Sequence, residues 1–363
     1  MQAQRLAIVH EWVDARAGSE QVFEAFAQLY PGADLYALSL EPDVNLELGG
    51  RCVRTTFLDQ PSLRSKRAVT LPLMPLAWQR LGRSEHDVVL MSHHAFAASN
   101  GLGRPGAARL AYVHTPARYV WTPELDGRGA TPLLAPARWA LRAVDRRAAS
   151  SLTSMAANSR EVAQRIRRFW GRDARVIHPP VDTEYFSRPT DDAMELPEEF
   201  VLALGRWIPY KNHLLVIDVA ESAGMPAVIA GAGPLASRLR ERASEAQVPV
   251  VVIERPTREG VRELLRRAAA LIFPTQEDFG IVPVEAMAAG TPVVAYARGG
   301  ATETVVEGHS GALVAENSVQ SYMEGLLRVR DVSPDECRTH AKRFSRARFD
   351  QEVRDWVAEF AKT

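Results

Sequence analysis

The 363-residue sequence carries two cysteines, Cys52 and Cys337, far apart in the chain. That excludes a disulfide-stapled scaffold and a cysteine-ligated metal cluster, and makes a reducing cytoplasm the simplest compartment. It has no run of 18 or more apolar residues, so no segment reads as a membrane-spanning helix. The opening Arg5-Leu-Ala-Ile-Val-His10 reads as a first strand rather than a signal peptide. The GxxxxGK[ST] phosphate loop and the GxGxxG fingerprint are both missing, which argues against a kinase, an ATPase or an ordinary NAD enzyme. There is no strict Asp-x-Asp pair, and the nearest match, Asp182-Thr-Glu184, falls in a proline-rich stretch. No bound metal, no other cofactor and no nucleic-acid partner are expected.

Net charge is also missing, since 44 Lys and Arg balance 44 Asp and Glu. The balance is uneven along the chain. Residues 1–180 hold 23 basic against 16 acidic residues, which leaves 21 against 28 for the rest. A basic half joined to an acidic half points to one side facing an anionic surface, with chance variation between two domains as the bland alternative.

What is present is a strand–helix alternation. Strand-length apolar runs occupy 6–10, 88–92, 109–114, 155–158 and 175–178, then 200–204, 227–230, 250–253, 270–273 and 292–296. Helical patterns lie between them at 19–29, 159–169, 212–223 and 258–268. This order predicts parallel sheets covered by helices on both faces, with enough units for two doubly wound α/β domains. Prolines and charge from His178 to Pro189, then the acidic stretch Asp191–Glu199, mark the linker. The expected division is residues 1–182, residues 183–345, and a last helix 346–363. In that helix Val353, Trp356, Val357 and Phe360 recur at helical spacing.

The segment richest in chemistry runs from Phe273 to Gly290, FPTQEDFGIVPVEAMAAG. It leaves a strand and enters a helix, where open α/β sheets bind ligands. Pro283 suits the first helical position and Gly290 the C-terminal cap. The free amides and dipole of such a helix start favour phosphate. Glu285, placed in the first turn, would stay ionised and accept two ribose hydroxyls. Glu277 would reach another part of the same ligand. A solvated loop acid and a dipole-compensating cap are the plain alternatives for this pair.

Gly205-Arg206 ends another strand, and Lys211 precedes another helix. A cation at a helix N-terminus opposes the dipole, and an anion bridging Lys211 to the amides would resolve the conflict, with Arg206 gripping the same group. Two ordinary surface cations are the alternative. Gly231-Ala-Gly-Pro-Leu235 permits close backbone approach to a ligand, and Ala297–Thr304, with Glu303, is a further strand-end loop. In the N-terminal half, Ala17-Gly18-Ser19-Glu20 opens a helix, with Gly18 leaving room for a bulky group. His114 ends a strand, where a structural role is equally open, and His93 and His94 lack metal-ligand spacing.

Taken together, these residues resemble the family-4 retaining glycosyltransferases of the GT-B fold, over nearly the whole chain. Glu277 and Glu285 match that family's E-x7-E pattern, and Gly205-Arg206 with Lys211-Asn212 its second signature. Gly231–Leu235 and Gly299-Gly300 with Glu303 match further features. Ala17-Gly-Ser-Glu20 is similar to the family's GGxE loop, with alanine for the first glycine. Ala111–Trp121, with His10-Glu-Trp12 and Ile177–Asp182, looks like a narrower branch, the bacterial mannosyltransferases of O-antigen and exopolysaccharide assembly.

The resemblance implies two Rossmann-like domains facing a cleft, with the C-terminal helix crossing back to the N-terminal domain. It implies a hexosyltransferase, most closely an α-mannosyltransferase. GDP-mannose would be the donor, a UDP-sugar the alternative, and a lipid-linked glycan the acceptor. Arg206 and Lys211 would neutralise the pyrophosphate in place of a metal. Glu285 would bind the ribose, while Glu277 and the amides of Phe279, Gly280 and Ile281 would hold the sugar. Gly18 would lie nearest the donor phosphate, and His114 would approach the sugar from the N-terminal side. An epimerase on the same fold and a non-catalytic nucleotide-sugar binder are the rival classes.

Two basic tracts bear on localisation. One, from Leu63 to Arg83, mixes Arg64, Lys66, Arg67, Arg80 and Arg83 with Leu73, Met74, Leu76 and Trp78. The other holds Arg138, Arg142, Arg146 and Arg147 at spacings that favour one helix face. They would let a cytoplasmic protein sit on an anionic membrane surface rather than span it, with Pro72 and Pro75 interrupting the first tract. Ordinary packing under a solvated basic face is the alternative.

Overall fold

A computed structural model of the chain describes residues 5–15, 17–64, 66–122, 135–190 and 194–360. The side chains of Arg67 and Ala68 lie outside this description, as do Asp191, Asp192 and Lys362. The chain divides into two compact units, Met1–Pro180 with Phe349–Thr363, and Val181–Arg348.

The first unit holds β1 (Leu6–Val13), β2 (Asp34–Leu40), β3 (Val53–Thr55), β4 (Val88–His93), β5 (Ala108–Val113), β6 (Ser154–Ala157) and β7 (Arg175–Val176). They form one sheet in the order β3-β2-β1-β4-β5-β6-β7, with every pair parallel. Parallel strands covered on both faces read as continuous apolar runs, and β4 (VVLMSH) is buried at every position. One face packs Met74, Trp78, Val162 and Ile166, and the other packs Val22, Phe23 and Phe26 from helix Gly18–Leu29.

Helix Arg346–Ala358 buries Phe349, Val353, Trp356 and Val357 in that second cluster, so the C-terminal helix returns to the first unit as the resemblance implies. The Trp356 indole N–H donates to Ser154 Oγ at 2.9 Å, and Arg175 grips Glu359 with both terminal nitrogens.

The second unit holds β8 (Val201–Arg206), β9 (Ala227–Ala232), β10 (Val250–Glu254), β11 (Ala270–Phe273), β12 (Val293–Tyr296) and β13 (Gly311–Val314). Their order is β10-β9-β8-β11-β12-β13, again all parallel. In both sheets the chain runs outward in opposite directions from two central strands. Those switch points, β1/β4 and β8/β11, leave a crevice past the carboxyl ends of the strands. The architecture is that of two doubly wound Rossmann-like units.

Strands β2, β3 and β13 were not legible in the sequence. Asp34-Leu-Tyr-Ala-Leu-Ser-Leu40 mixes polar residues into its run, and the other two are only three and four residues long. Among the described residues no helix is long and apolar enough to cross a membrane. The tract 63–83 breaks into short turns, with Pro72 in a 3₁₀ turn and Pro75 near the start of helix Met74–Gln79.

Candidate active site

In the second unit the predicted cations stand at the end of β8. Gly205 has φ +141°, and Arg206 follows it into solvent, donating to the Tyr210 hydroxyl at 3.3 Å. The chain then makes a 3₁₀ turn over Pro209–Lys211 and passes through Asn212, whose φ of 53° is left-handed, before helix His213–Ala223. Asparagine is among the few residues other than glycine that take this conformation readily. The turn buries Lys211 above Gly205, with its ammonium 5.6 Å from the centre of the Phe273 ring. Lys211 Nζ is in direct ion contact with Glu277 Oε1. The anion that the sequence called for at this cation is therefore a carboxylate of the chain itself.

His213, not singled out from the sequence, is buried beside this pair, with its Nε2 also facing Gly205. Burial, reinforced by the Lys211 charge, lowers its pKa to about 4, so it is a neutral imidazole at neutral pH. Its signal lay in the sequence, two residues past Lys211, hidden by its place in an apolar helix.

The loop carrying Glu277 is held from two sides. The Thr275 hydroxyl donates to the Tyr210 carbonyl at 3.0 Å, which ties it to the cationic turn. The Gly300 amide donates to the Glu277 carbonyl at 2.8 Å. A Cβ on Gly299 or Gly300 would collide with the Glu277 or Phe279 backbone, so the Gly299-Gly300 pair supports this loop. Gly231 and Gly233 also pack against protein rather than leaving space for a ligand, since a Cβ on either would strike the backbone of Gly205 or Trp207.

Phe279 is buried, and Gly280, at φ +84°, is the N-cap of helix Ile281–Ala289. The helix therefore begins two residues before Pro283. Pro283 still fits, because the first four amides of a helix have no partner within it.

The early start also moves Glu285 into the second turn. There the dipole no longer dominates, and burial pushes its carboxyl up to about 7, against Arg258 and helped by Asp182. The expected ionised first-turn carboxylate is instead a group that titrates near neutrality. Arg258, which donates to Asp182 at 2.7 Å and lies over the Tyr185 ring, escaped notice because the linker and helix Arg258–Arg267 are far apart in sequence. The structure thus brings Lys211 and Glu277 together, sets Arg206 beside them through Tyr210, and gives Glu285 separate charged neighbours.

In the first unit Gly18 opens helix Gly18–Leu29, and Glu20 turns back to accept from the Ala17 amide at 3.3 Å and the Ser19 hydroxyl at 2.8 Å. His114 lies one residue past β5, partly exposed, with Nε2 2.8 Å from Ser92 Oγ. His10-Glu11-Trp12 are interior residues of β1. Glu11 accepts from the Ala95 and Ala97 amides at 2.9 and 2.6 Å and so fixes the loop after β4. Trp12 meets the His94 ring edge-on. His93 is buried, which pushes its pKa down to about 3 and leaves it neutral.

Residues 21–185 match the family described as "Glycosyltransferase Family 4", and residues 191–347 match "Glycosyl transferases group 1". The chain is 34% identical over 204 residues to the D-inositol 3-phosphate glycosyltransferase of Streptomyces bingchenggensis, covering 48% of this chain and 44% of that protein. It is 36% identical over 118 residues to the α-1,3/1,6-mannosyltransferase alg-2 of Neurospora crassa, covering 32% and 24%. It thus spans less than half the length of these curated relatives.

Among solved structures, Anabaena Alr3699/HepE in complex with UDP superposes with a TM-score of 0.73 at 18% identity, over 97% of this chain and 99% of that one. Sucrose-phosphate synthase from Thermosynechococcus elongatus gives 0.72 at 19%, over 99% and 100%. Curated relatives carry glycosyltransferase names of more than one kind, so the narrower likeness to O-antigen and exopolysaccharide enzymes is not singled out. With both units matched and the fold shared end to end, the chain belongs to the family-4-type glycosyltransferases of the GT-B fold.

Proposed function

We propose that this chain transfers a hexose from a nucleoside-diphosphate sugar to a glycan acceptor with retention of anomeric configuration. The observation that carries this reading is the ion pair of buried Lys211 with partly exposed Glu277 beside the exposed Arg206, at the carboxyl end of the β8/β11 switch point. A donor pyrophosphate exchanges one partner of Lys211 for another, so its charge meets a cation already desolvated and aimed. The bond from the anomeric carbon to the phosphate oxygen breaks, and Arg206 and Lys211 stabilise the departing diphosphate. The acceptor oxygen attacks from the same face, and its proton passes to the leaving phosphate oxygen. Glu277, released from part of its pairing, offsets cationic character at the anomeric carbon. The amides of Phe279, Gly280 and Ile281 hold the sugar, Glu285 binds the ribose, Gly18 adjoins the phosphate, and His114 contacts a sugar hydroxyl.

A UDP-hexose is the first donor to test, because one solved protein of the same fold, Anabaena Alr3699/HepE, is bound to UDP and to UDP-glucose. GDP-mannose is the second, supported by the segment Ala111–Trp121 and by the likeness to a fungal mannosyltransferase. The discriminating assay is release of nucleoside diphosphate from a panel of nucleotide sugars with lipid-linked glycan acceptors. Sugar transfer with one donor supports the proposal. Release of no diphosphate from any donor, or epimerised donor as the sole product, contradicts it.

A lipid-linked acceptor in cell-surface polysaccharide synthesis would require peripheral contact with an anionic membrane. Val69, Leu73, Leu76 and Trp139 are exposed, Trp139 to 74%, which supports that contact. The basic residues need sorting first. Arg64 is paired with Asp59, Arg80 lies over Phe57, and Arg142 and Arg146 stack on Trp121. Met74 and Trp78 are core residues. Co-sedimentation with phosphatidylglycerol vesicles, lost in Trp139→Ser with Leu76→Ser, is the expected result, and equal binding to neutral vesicles contradicts it.

A further inference from the structure

His213 has no part in the roles given above, although it stands inside the charged cluster of the second unit. It is the first residue of helix His213–Ala223 and is only 4% exposed. Its Nδ1 is buried with no hydrogen-bond partner among the described residues. Burying an imidazole in this state costs stability, and ordinary core packing does not explain it.

The backbone accounts for the direction of the ring. Residues two apart on a regular helix do not face each other. Lys211 and His213 are two apart, but Asn212 between them is left-handed, at φ 53°, and turns the chain between the 3₁₀ turn Pro209–Lys211 and the helix. Both side chains therefore converge on the end of β8. A Cβ on Gly205 would lie 3.9 Å from Lys211 Nζ and 4.0 Å from His213 Nε2. Glycine keeps that approach clear, and its φ of +141° disfavours any larger residue.

The polar groups at this point differ in charge. Arg206 and Lys211 are cations. His213 is a neutral imidazole at and above neutral pH, because burial and the Lys211 charge both disfavour a further cation there. A neutral imidazole has one N–H, which either nitrogen can carry. Ionised phosphoryl oxygens only accept, so an anion beside Gly205 selects the form protonated at Nε2, whichever form the ring takes without it. Such a donor adds a hydrogen bond to the anion without setting more charge against Lys211 or the positive end of the helix dipole.

We propose that His213 is a third residue of the diphosphate site, donating from Nε2 to a phosphoryl oxygen of the sugar donor beside Lys211 and across Gly205. The assignment rests on the reading of Arg206 and Lys211 as diphosphate ligands given above, and adds an uncharged contact to their charged ones.

The test is calorimetric titration of the full-length protein with UDP and with GDP in EDTA at about pH 8, where the terminal phosphate is ionised. His213→Ala should weaken whichever nucleotide binds by about 10-fold. His213→Gln, whose amide carries an N–H near the position of Nε2, should recover most of that loss. His213→Ala should still weaken binding when Lys211 is already alanine, because its contact is with the ligand and not with the lysine. In the wild type, imidazole ¹⁵N shifts, with the His213 signals identified by their loss in His213→Gln, should show Nε2 protonated in the saturated complex. Thermal melts confirm that each variant is folded.

A saturated wild-type complex with His213 unprotonated at Nε2 overturns the proposal without recourse to any variant. So does wild-type affinity in His213→Ala, or equal weakening in the Ala and Gln variants. A His213→Ala loss that vanishes in the Lys211→Ala background would make the ring a support for the lysine, which also overturns it. A wild type that binds neither nucleotide contradicts the diphosphate reading itself, and this proposal falls with it.

Discussion

The two units present polar residues in opposite ways. In the second, the working charges stand at strand ends and pair with each other, Lys211 with Glu277, while Arg206 reaches into solvent. In the first, the polar residues lie inside the strands. His10, Glu11, Ser92 and His93 are all fully buried, and their polar contacts are to neighbouring side chains or amides rather than solvent. On the proposed reading, one unit would meet a charged ligand with charges of its own, and the other would offer the sugar uncharged polar groups. A diphosphate site and a sugar-hydroxyl site would then place different demands on the same doubly wound scaffold.

The largest expected effect tests the paired charge. Lys211→Ala should lower kcat/KM by about 10²-fold or more, and because it strands Glu277 it should also lower Tm. A double-mutant cycle of Lys211→Ala with Glu277→Ala should give a coupling of roughly 1–3 kcal/mol. Additive effects would mean that the pair is incidental. Arg206→Ala should lose activity to a similar degree with Tm unchanged, since its side chain is exposed and donates to the Tyr210 hydroxyl in solvent. Thermal melts of the two variants side by side make the contrast, and a large Tm loss for Arg206→Ala would break it.

The smallest expected effect concerns burial in the first unit. Asp145 accepts from the indole nitrogens of Trp121 and Trp170 at 2.6 and 2.7 Å, and burial pushes its pKa up to about 7 despite those donors. The native state therefore binds the extra proton between the usual aspartate range and about pH 7. Stability from that proton is present at low pH and is lost as pH rises through about 7. Asp145→Asn keeps an acceptor for both indoles and has nothing to ionise. Its Tm should exceed wild type by a few degrees near pH 8 and match it near pH 5. A variant less stable at both values would show that the ionised carboxylate is stabilising.

The contrast between the units also explains what could be read in the sequence. The central strands of both sheets and the C-terminal helix were legible, because buried parallel strands and the stripe of Val353, Trp356 and Val357 follow from periodicity, while the helix's return to the first unit came only from the family resemblance. The motif around Glu277 was legible because its segment leaves a strand and enters a helix, where open α/β sheets bind ligands. The Lys211–Glu277 contact was not, since two residues that each seem to await a ligand can satisfy one another. The close approaches of Ser92 Oγ to His10 Nδ1 and to His114 Nε2 were hidden because these residues are separated by 82 and 22 positions in the chain. Glu285 shows a subtler failure. Its place was read from Pro283, but Gly280 starts the helix earlier, and two residues of shift replace dipole stabilisation by burial.

On the proposed reading the second unit alone supplies the charge that grips the donor diphosphate. Calorimetric titration with UDP and with GDP, in EDTA, tests it most directly. One of these nucleotides should bind without metal, weaken by about 10-fold or more in Arg206→Ala and in Lys211→Ala, and bind nearly unchanged in Ser92→Ala and His114→Gln. Binding that requires a divalent ion, or that falls as far in the first-unit variants as in the second, would contradict the account.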